Sequence, residues 1–327
     1  MSNPFTDQRA LAAGEALAAL SRDVLTVSGP DRLSWLDSLT SQRLTGLAPG
    51  ESAETLLLDP SGRVEHAIRV VDDGETAWLL VDADRGAALA AFLGGMRFML
   101  RVEVADRSAD IAAVGGFDGA EAPAGALALW RDPWASVVTG GWQYAADEPD
   151  EVAGWSWWEA LVPRDAVAAL GTLVPEDAAD ALRIAARRPR AATELDATTI
   201  PHELDWLRSA VHLAKGCYRG QETVAKVHNL GHPPRRLVLL HLDGSEGGLP
   251  AHDDEVLLGE KAIGRVTAAA RHHELGPIAL AVVKRTADPA ATLAVRTADG
   301  DVAAAQEVIV PVDAGATADV PRLARIR

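Results

Sequence analysis

The spacing of apolar residues changes along this chain, and each change marks an element. A β-branched run over 24–27 closes at Gly29 and Pro30 and reads as a strand. Leu33, Leu36, Leu39 and Leu44 then fall near one face of a helix, with Pro30 as its first-turn residue. Residues 55–58 read as a strand, Asp59-Pro60-Ser61-Gly62 as a type I turn, and 64–71 as the hairpin partner. Asp72-Asp73-Gly74 turns into a strand over 76–81. A helix over 85–98 and a strand over 102–104 close the unit. This order predicts a split βαβ, ferredoxin-like layer.

Beyond it, strands are expected at 111–114, 126–130 and 155–162, and helices at 164–173 and 176–188, started by Pro163 and Pro175. Trp155, Trp157 and Trp158 suit core packing better than a ligand platform, because alternation in a strand buries such side chains. From Leu237 the texture shifts. Short apolar runs at 237–242, 255–258, 263–267, 278–283, 292–295 and 308–310 are separated by Gly, Pro and Asp, which predicts a small β-barrel or sandwich. The expected units are 1–105, 106–234 and 235–327, divided at Pro233-Pro234-Arg235-Arg236, with the last dozen residues fraying.

Composition narrows the function. The 327 residues carry 31 basic and 47 acidic side chains, a net charge of −16, which argues against broad duplex nucleic-acid binding. One cysteine excludes a disulfide framework and any metal or cluster site made only from this chain's thiolates. The most apolar stretch, 87–96, stops at Arg97, well short of the roughly 20 residues a membrane span needs. Asp7, Arg9 and Glu15 stand where a signal peptide would be basic and then apolar, so a soluble, cytoplasmic protein is expected. Only four lysines occur, at 215, 226, 261 and 284, against 27 arginines. The bland reading of that imbalance is codon bias, yet two of the four lysines flank the lone cysteine.

That cysteine lies in Lys215-Gly-Cys-Tyr-Arg-Gly-Gln-Glu222. Gly216 and Gly220 bracket Cys217 in a tight loop where backbone can approach a ligand. Gln221 and Glu222 open an amphipathic stretch through Val224 and Val227, placing Cys217 just before a helix. A helix N-terminus and an ammonium from Lys215 or Lys226, oriented by Glu222, both favour thiolate over thiol. The plainer alternative is a small buried hydrophobe in a turn.

Lys215 to Glu222 resembles the K-G-C-Y-x-G-Q-E signature of the YgfZ-type folate-binding proteins, relatives of the glycine cleavage T-protein (aminomethyltransferase). Gly29 to Thr40, Asp59-Pro-Ser-Gly-Arg63, Leu182-Arg-Ile184, Pro189-Arg190, Glu194-Leu-Asp196 and the 231–236 stretch resemble further segments of that family. The resemblance implies an α+β fold: two intertwined ferredoxin-like α/β domains forming a folate-binding core, plus a small C-terminal β-barrel. It implies tetrahydrofolate or another reduced folate as cofactor. It also implies iron–sulfur client or assembly proteins as partners, a monomer, and a role in assembly or repair of iron–sulfur cluster proteins.

On the same basis Lys215, Cys217 and Glu222 form the functional motif. Glu194, Arg183, Tyr218, Gly216, Gly220 and Gln221 are folate-binding candidates, with Glu194 matching the acidic residue that recognises the pterin. Two departures stand out. His66-Ala67 replaces the aspartate pair that follows the glycine turn in the T-protein, and Ala185, Arg187 and Ala192 replace an acidic residue and two glycines. The first weakens the alternative activity, a folate-dependent aminomethyltransferase or demethylase acting on a small amine, so whether the chain is an enzyme stays open. A bare scaffold that binds no folate is a third reading. No metal site is expected: Gly231 and two prolines end any helix joining His228 to His232, and His272 and His273 should point to opposite faces of a strand. Arg235 and Arg236 suit either the glutamate tail of a folate or a solvated linker.

Overall fold

The computed structural model describes residues 3–145, 150–244 and 248–318. The fraying expected for the final residues falls, from 319 on, outside the described residues.

The first sheet is antiparallel, with strands in the order Ser52–Leu58, Val64–Asp72, Thr76–Asp82, Arg22–Ser28 and Glu103–Asp106. Without its Ser52–Leu58 edge strand this is the split βαβ arrangement read from the sequence. One face buries Leu25, Val27, Leu79 and Val81 against Trp35, Leu36, Leu89 and Leu93 of the helices Arg32–Leu39 and Gly86–Gly95. The second helix stops three residues before the expected end, where Gly94 and Gly95 weaken it. Its start is fixed by the Gly86 N–H, which donates to Asp23 Oδ2 at 2.7 Å. The first helix begins two residues after Pro30 and ends at Leu39, so Leu44 packs from the following loop.

The second sheet has the order Ala18–Leu20, Ile111–Gly116, Trp158–Pro163, Ala128–Arg131, again antiparallel. Its outer strand comes from before the first sheet, so the two units are intertwined. The helices Pro4–Ala12 and Glu176–Ala185 pack together, and the second packs against that strand and the barrel. Asn3 caps the N-terminal helix by accepting the Phe5 N–H, a helix the apolar pattern did not reveal.

Three expected elements differ. Residues Arg164–Leu170 form a 3₁₀ helix ended by Gly171 at φ +81°. The Glu176 helix stops at Ala185, and the third expected strand of this sheet starts at Trp158.

The barrel closes through six antiparallel strands, Arg235–Leu242, Gly276–Lys284, Lys261–His272, Glu255–Leu258, Leu293–Thr297 and Gly300–Val308. Closure pairs every edge, so no strand is left to recruit another chain. The last strand ends where the sequence placed its start, because alanines at 303–305 carry little β signal. His272 ends its strand and His273 begins the turn, so alternation no longer separates them. Their rings lie 4.5 Å apart.

Candidate functional site

The Lys215–Glu222 loop reaches the surface between the first unit and the helix Gln221–Leu230. Cys217 is exposed there, four residues before the helix starts, so the buried-hydrophobe alternative does not hold. Lys215 is buried and faces inward. Its Nζ donates to the carbonyls of Asp37, of Thr40 and of Gln42, the last two at 2.8 Å, with the Asp37 carboxylate 3.3 Å away. Those oxygens lie at the C-terminal end of the Arg32–Leu39 helix, where an ammonium is favoured. Burial lowers the Lys215 pKa and Asp37 opposes that shift. The ammonium is thus committed to anchoring the loop.

Tyr218 is buried beneath Lys215, whose Nζ is 5.4 Å from the ring centroid, and burial raises its phenol pKa. Gln221 Nε2 donates back to the Lys215 and Gly216 carbonyls, closing the loop on itself. Arg219 pairs with Glu65 at 2.9 Å and covers Phe92. Gly216, Glu222 and Lys226 are exposed, and among the described residues neither Glu222 nor Lys226 has an ion-pair partner.

The loop meets the Asp59–Gly62 turn back to back. Gly220 has φ +82°, and a Cβ there would lie 2.6 Å from the Asp59 carbonyl oxygen and 2.9 Å from Gly62 Cα. Gly62, at φ +80°, faces Thr223 equally closely. Two segments distant in sequence are therefore joined at a contact only glycine permits. Gly220→Ala is expected to cost about 2–3 kcal/mol from strain and displacement. A urea midpoint equal to that of the parent chain would contradict this.

Between the sheets the space is filled by paired charge. Arg22 grips Glu159 with two bonds of 3.0 and 2.8 Å and reaches Glu176 at 2.7 Å. Arg69 and Arg190 approach Asp82. Burial would raise both carboxyl pKa values, but these arginines hold them well below the usual range, Glu159 at about 2.

Arg183 and Glu194 belong to the same network. Glu194 is fully buried: Oε2 accepts from the Arg190 N–H, Thr193 and Arg183, and Oε1 accepts from Thr267 of the barrel. Arg183 also donates to Asp180 and the Arg188 carbonyl. Neither is brought together with the Cys217 loop. The cavity left amid this network holds about 30 Å³, room for one or two waters. A pterin ring does not fit it.

A larger cleft of about 480 Å³ opens on the far side of Trp155, lined by Phe117, Trp155, Leu182, Ala185 and His273. Phe117 meets Trp155 edge-on at 5.0 Å, and Trp155 stacks on Trp157 at 5.9 Å. Its volume suits a folate-sized heterocycle, and Phe117 and Trp155 put aromatic edges and faces at its wall. His273 Nδ1, buried and without a hydrogen bond, is a polar atom at this wall that lacks a protein partner. Phe117 carried no local sequence signal, and His273 was weighed only as a metal ligand.

Other expected residues take structural places. His66 is buried with Nδ1 unpaired, its pKa lowered to about 4 by burial and Arg85. Arg235 binds Asp196 and Glu203, and Arg236 is buried at one end of the barrel, so neither a solvated linker nor a free anion clamp describes them. Among the described residues no group of three or more His, Cys, Asp or Glu side chains is placed to hold a metal ion. No described helix is long and apolar enough to cross a membrane.

Residues 235–312 match the family model of the glycine cleavage T-protein C-terminal barrel domain. The crystal structure of glycine cleavage system aminomethyltransferase T from Bartonella henselae superposes with a TM-score of 0.72 at 15% identity, covering 95% of this chain and 89% of that one. The barrel is thus a T-protein C-terminal domain by sequence, and the whole chain has the T-protein fold. Among its relatives, an aminomethyltransferase from Parasynechococcus marenigrum is 28% identical over 300 residues, 80% of this chain and 76% of its own. The mitochondrial iron–sulfur cluster assembly factor IBA57 homolog from Mycosarcoma maydis is 28% identical over 250 residues, 71% of this chain and 59% of its own. This T-protein-like chain keeps a left-handed backbone at Arg187, φ +55°, where the family pattern carries glycine. The strained residue is held in place by Glu307 of the barrel.

Proposed function

We propose that this chain binds a reduced folate and supports assembly or repair of iron–sulfur cluster proteins, acting through the Cys217 loop as a YgfZ-type protein. The observation that carries this reading is the loop itself. Lys215, Gln221 and Gly220 are spent on holding it, and what it presents to solvent is a thiol. The likeness to an iron–sulfur assembly factor over 71% of the chain supports the same reading.

The reduced folate would be held in the cleft by the aromatic faces of Phe117 and Trp155, with His273 at its wall. When bound, it supplies a one-carbon carrier at its N5 and N10 nitrogens. The alternative, folate-dependent transfer or demethylation of a small amine, needs a catalytic carboxylate. His66 and Ala67 stand where the T-protein pattern carries its aspartates.

Tetrahydrofolate titration followed by tryptophan fluorescence and calorimetry is expected to saturate in both formats. Cys217→Ala should keep that binding and fail to restore cluster-dependent enzymes in a strain lacking this protein. Full restoration by the variant would refute the role of the thiol. A flat titration in both formats would remove the folate.

A further inference from the structure

A second cleft, of about 250 Å³, lies beside the Cys217 loop, walled by Arg43, Glu51 and Ser52 of the first unit, Thr139 of the second, and Ser209 and His212. It is distinct from the Trp155 cleft. Glu54 lines one, Trp155 lines the other, and between them Arg188 bonds both Glu54 and Asp132, which accepts the Trp155 N–H. Lys215 holds the Gln42 carbonyl and so fixes this wall to the loop.

Most polar groups of the cleft already have partners. Ser209 donates to Glu54 at 2.6 Å, Ser52 Oγ accepts the Arg131 N–H, and Gln42 reaches the Ser209 carbonyl. Three charged or polar groups retain capacity. His212 Nδ1 accepts the Ala214 N–H at 3.2 Å, which puts the ring proton on Nε2. That ring is pressed against Gly140, where a Cβ would lie 2.5 Å from it. Arg43 makes one long contact, 3.4 Å to the Ala214 carbonyl, and has no ion pair among the described residues. Glu51 accepts one backbone N–H, from Ala48 at 2.9 Å, through Oε2.

The charge balance then selects the ligand. Glu54 is matched by Arg188, leaving one guanidinium and one carboxylate across a compact space. A dianion such as phosphate meets repulsion from Glu51, and a simple cation meets Arg43. We propose that this cleft binds a small zwitterionic amino acid, its carboxylate on the His212 Nε2–H and Arg43 and its ammonium facing Glu51. The space, about 250 Å³, has room for a single amino acid.

The test uses the full chain and ligand-observed saturation-transfer NMR with the standard amino acids, plus acetate, methylamine and inorganic phosphate. At least one small amino acid should bind saturably and more tightly than acetate or methylamine. Arg43→Ala and Glu51→Gln, both at exposed positions, should each weaken it about tenfold with unchanged circular dichroism. Gly140→Ala, which displaces the His212 ring, should weaken it as well. The proposal falls if no amino acid binds, if phosphate binds more tightly than any of them, or if binding survives both charge substitutions.

Discussion

Replacing Arg188 with alanine is expected to remove about 3–5 kcal/mol of stability, the largest effect of any single substitution considered. Arg188 Nη2 bonds Glu54 Oε1 at 2.6 Å, its Nε bonds Asp132 Oδ2 at 2.9 Å, and its guanidinium lies 5.1 Å from the Trp134 ring centroid. Burial opposes its charge, yet Asp132 and Glu54 hold its pKa above the ordinary arginine value. Deleting the cation would strand two buried carboxylates, which costs more than the pairing itself is worth. The triple variant Glu54→Gln, Asp132→Asn, Arg188→Met should therefore recover most of the loss. Urea unfolding of the single and triple variants decides the matter. A single variant within about 1 kcal/mol of the parent would mean that water reaches and solvates those carboxylates.

Acidification provides the second large effect, through histidines. Burial lowers the pKa of His202 to about 3, and burial with Arg85 lowers that of His66 to about 4. Both are neutral in the folded chain, while in the unfolded chain each takes up a proton near pH 6.5. Their contribution is complete above about pH 6.5. It falls as pH drops toward about 4 for His66 and about 3 for His202, because only the unfolded state gains protons in that window. Between pH 7 and pH 5 the two together should cost about 4 kcal/mol. The Glu159 and Asp82 pairs add nothing there: with folded values held low by Arg22 and Arg69, their loss begins only below about pH 4.5. His202→Gln should halve the loss between pH 7 and 5. Equal urea midpoints at the two pH values would show that these imidazoles titrate normally in the fold.

Local signals carried much of the architecture. Short apolar runs separated by Asp-Pro-Ser-Gly and Asp-Asp-Gly gave the first sheet its strands, because each pairs with a neighbour close in sequence or across one helix. Ala18–Leu20 gave no comparable signal. Three residues are too few to show a period, and their partners at 113–115 lie far along the chain. The glycines of the Cys217 loop were legible because φ and crowding leave no substitute at Gly220. Partners were not. Lys215 read as a neighbour for the thiol and proves to anchor a helix end, while Glu194 matched a ligand-binding position and proves to be enclosed by four donors. Arg183 was read as a folate-binding candidate and Arg190 as part of a resembling segment, while Arg22, Arg69 and Arg188 were absorbed into an arginine-rich composition, although 187, 188 and 190 crowd after an apolar helix in an acidic chain. That local excess was the available sign of a buried charge cluster.

The crossed origin of the second sheet bears on how the chain is made. The ribosome releases Ala18–Leu20 about ninety residues before Ile111–Gly116, the strand it must flank. By then Arg22–Asp106 can already have closed into its own sheet, since every partner it needs lies within that span. Ala18–Leu20 thus waits, tethered to a finished unit, and its docking onto the later strand occupies an otherwise open edge. Birth order and assembly order are inverted: a strand that emerges before the first sheet finds its place after that sheet has closed.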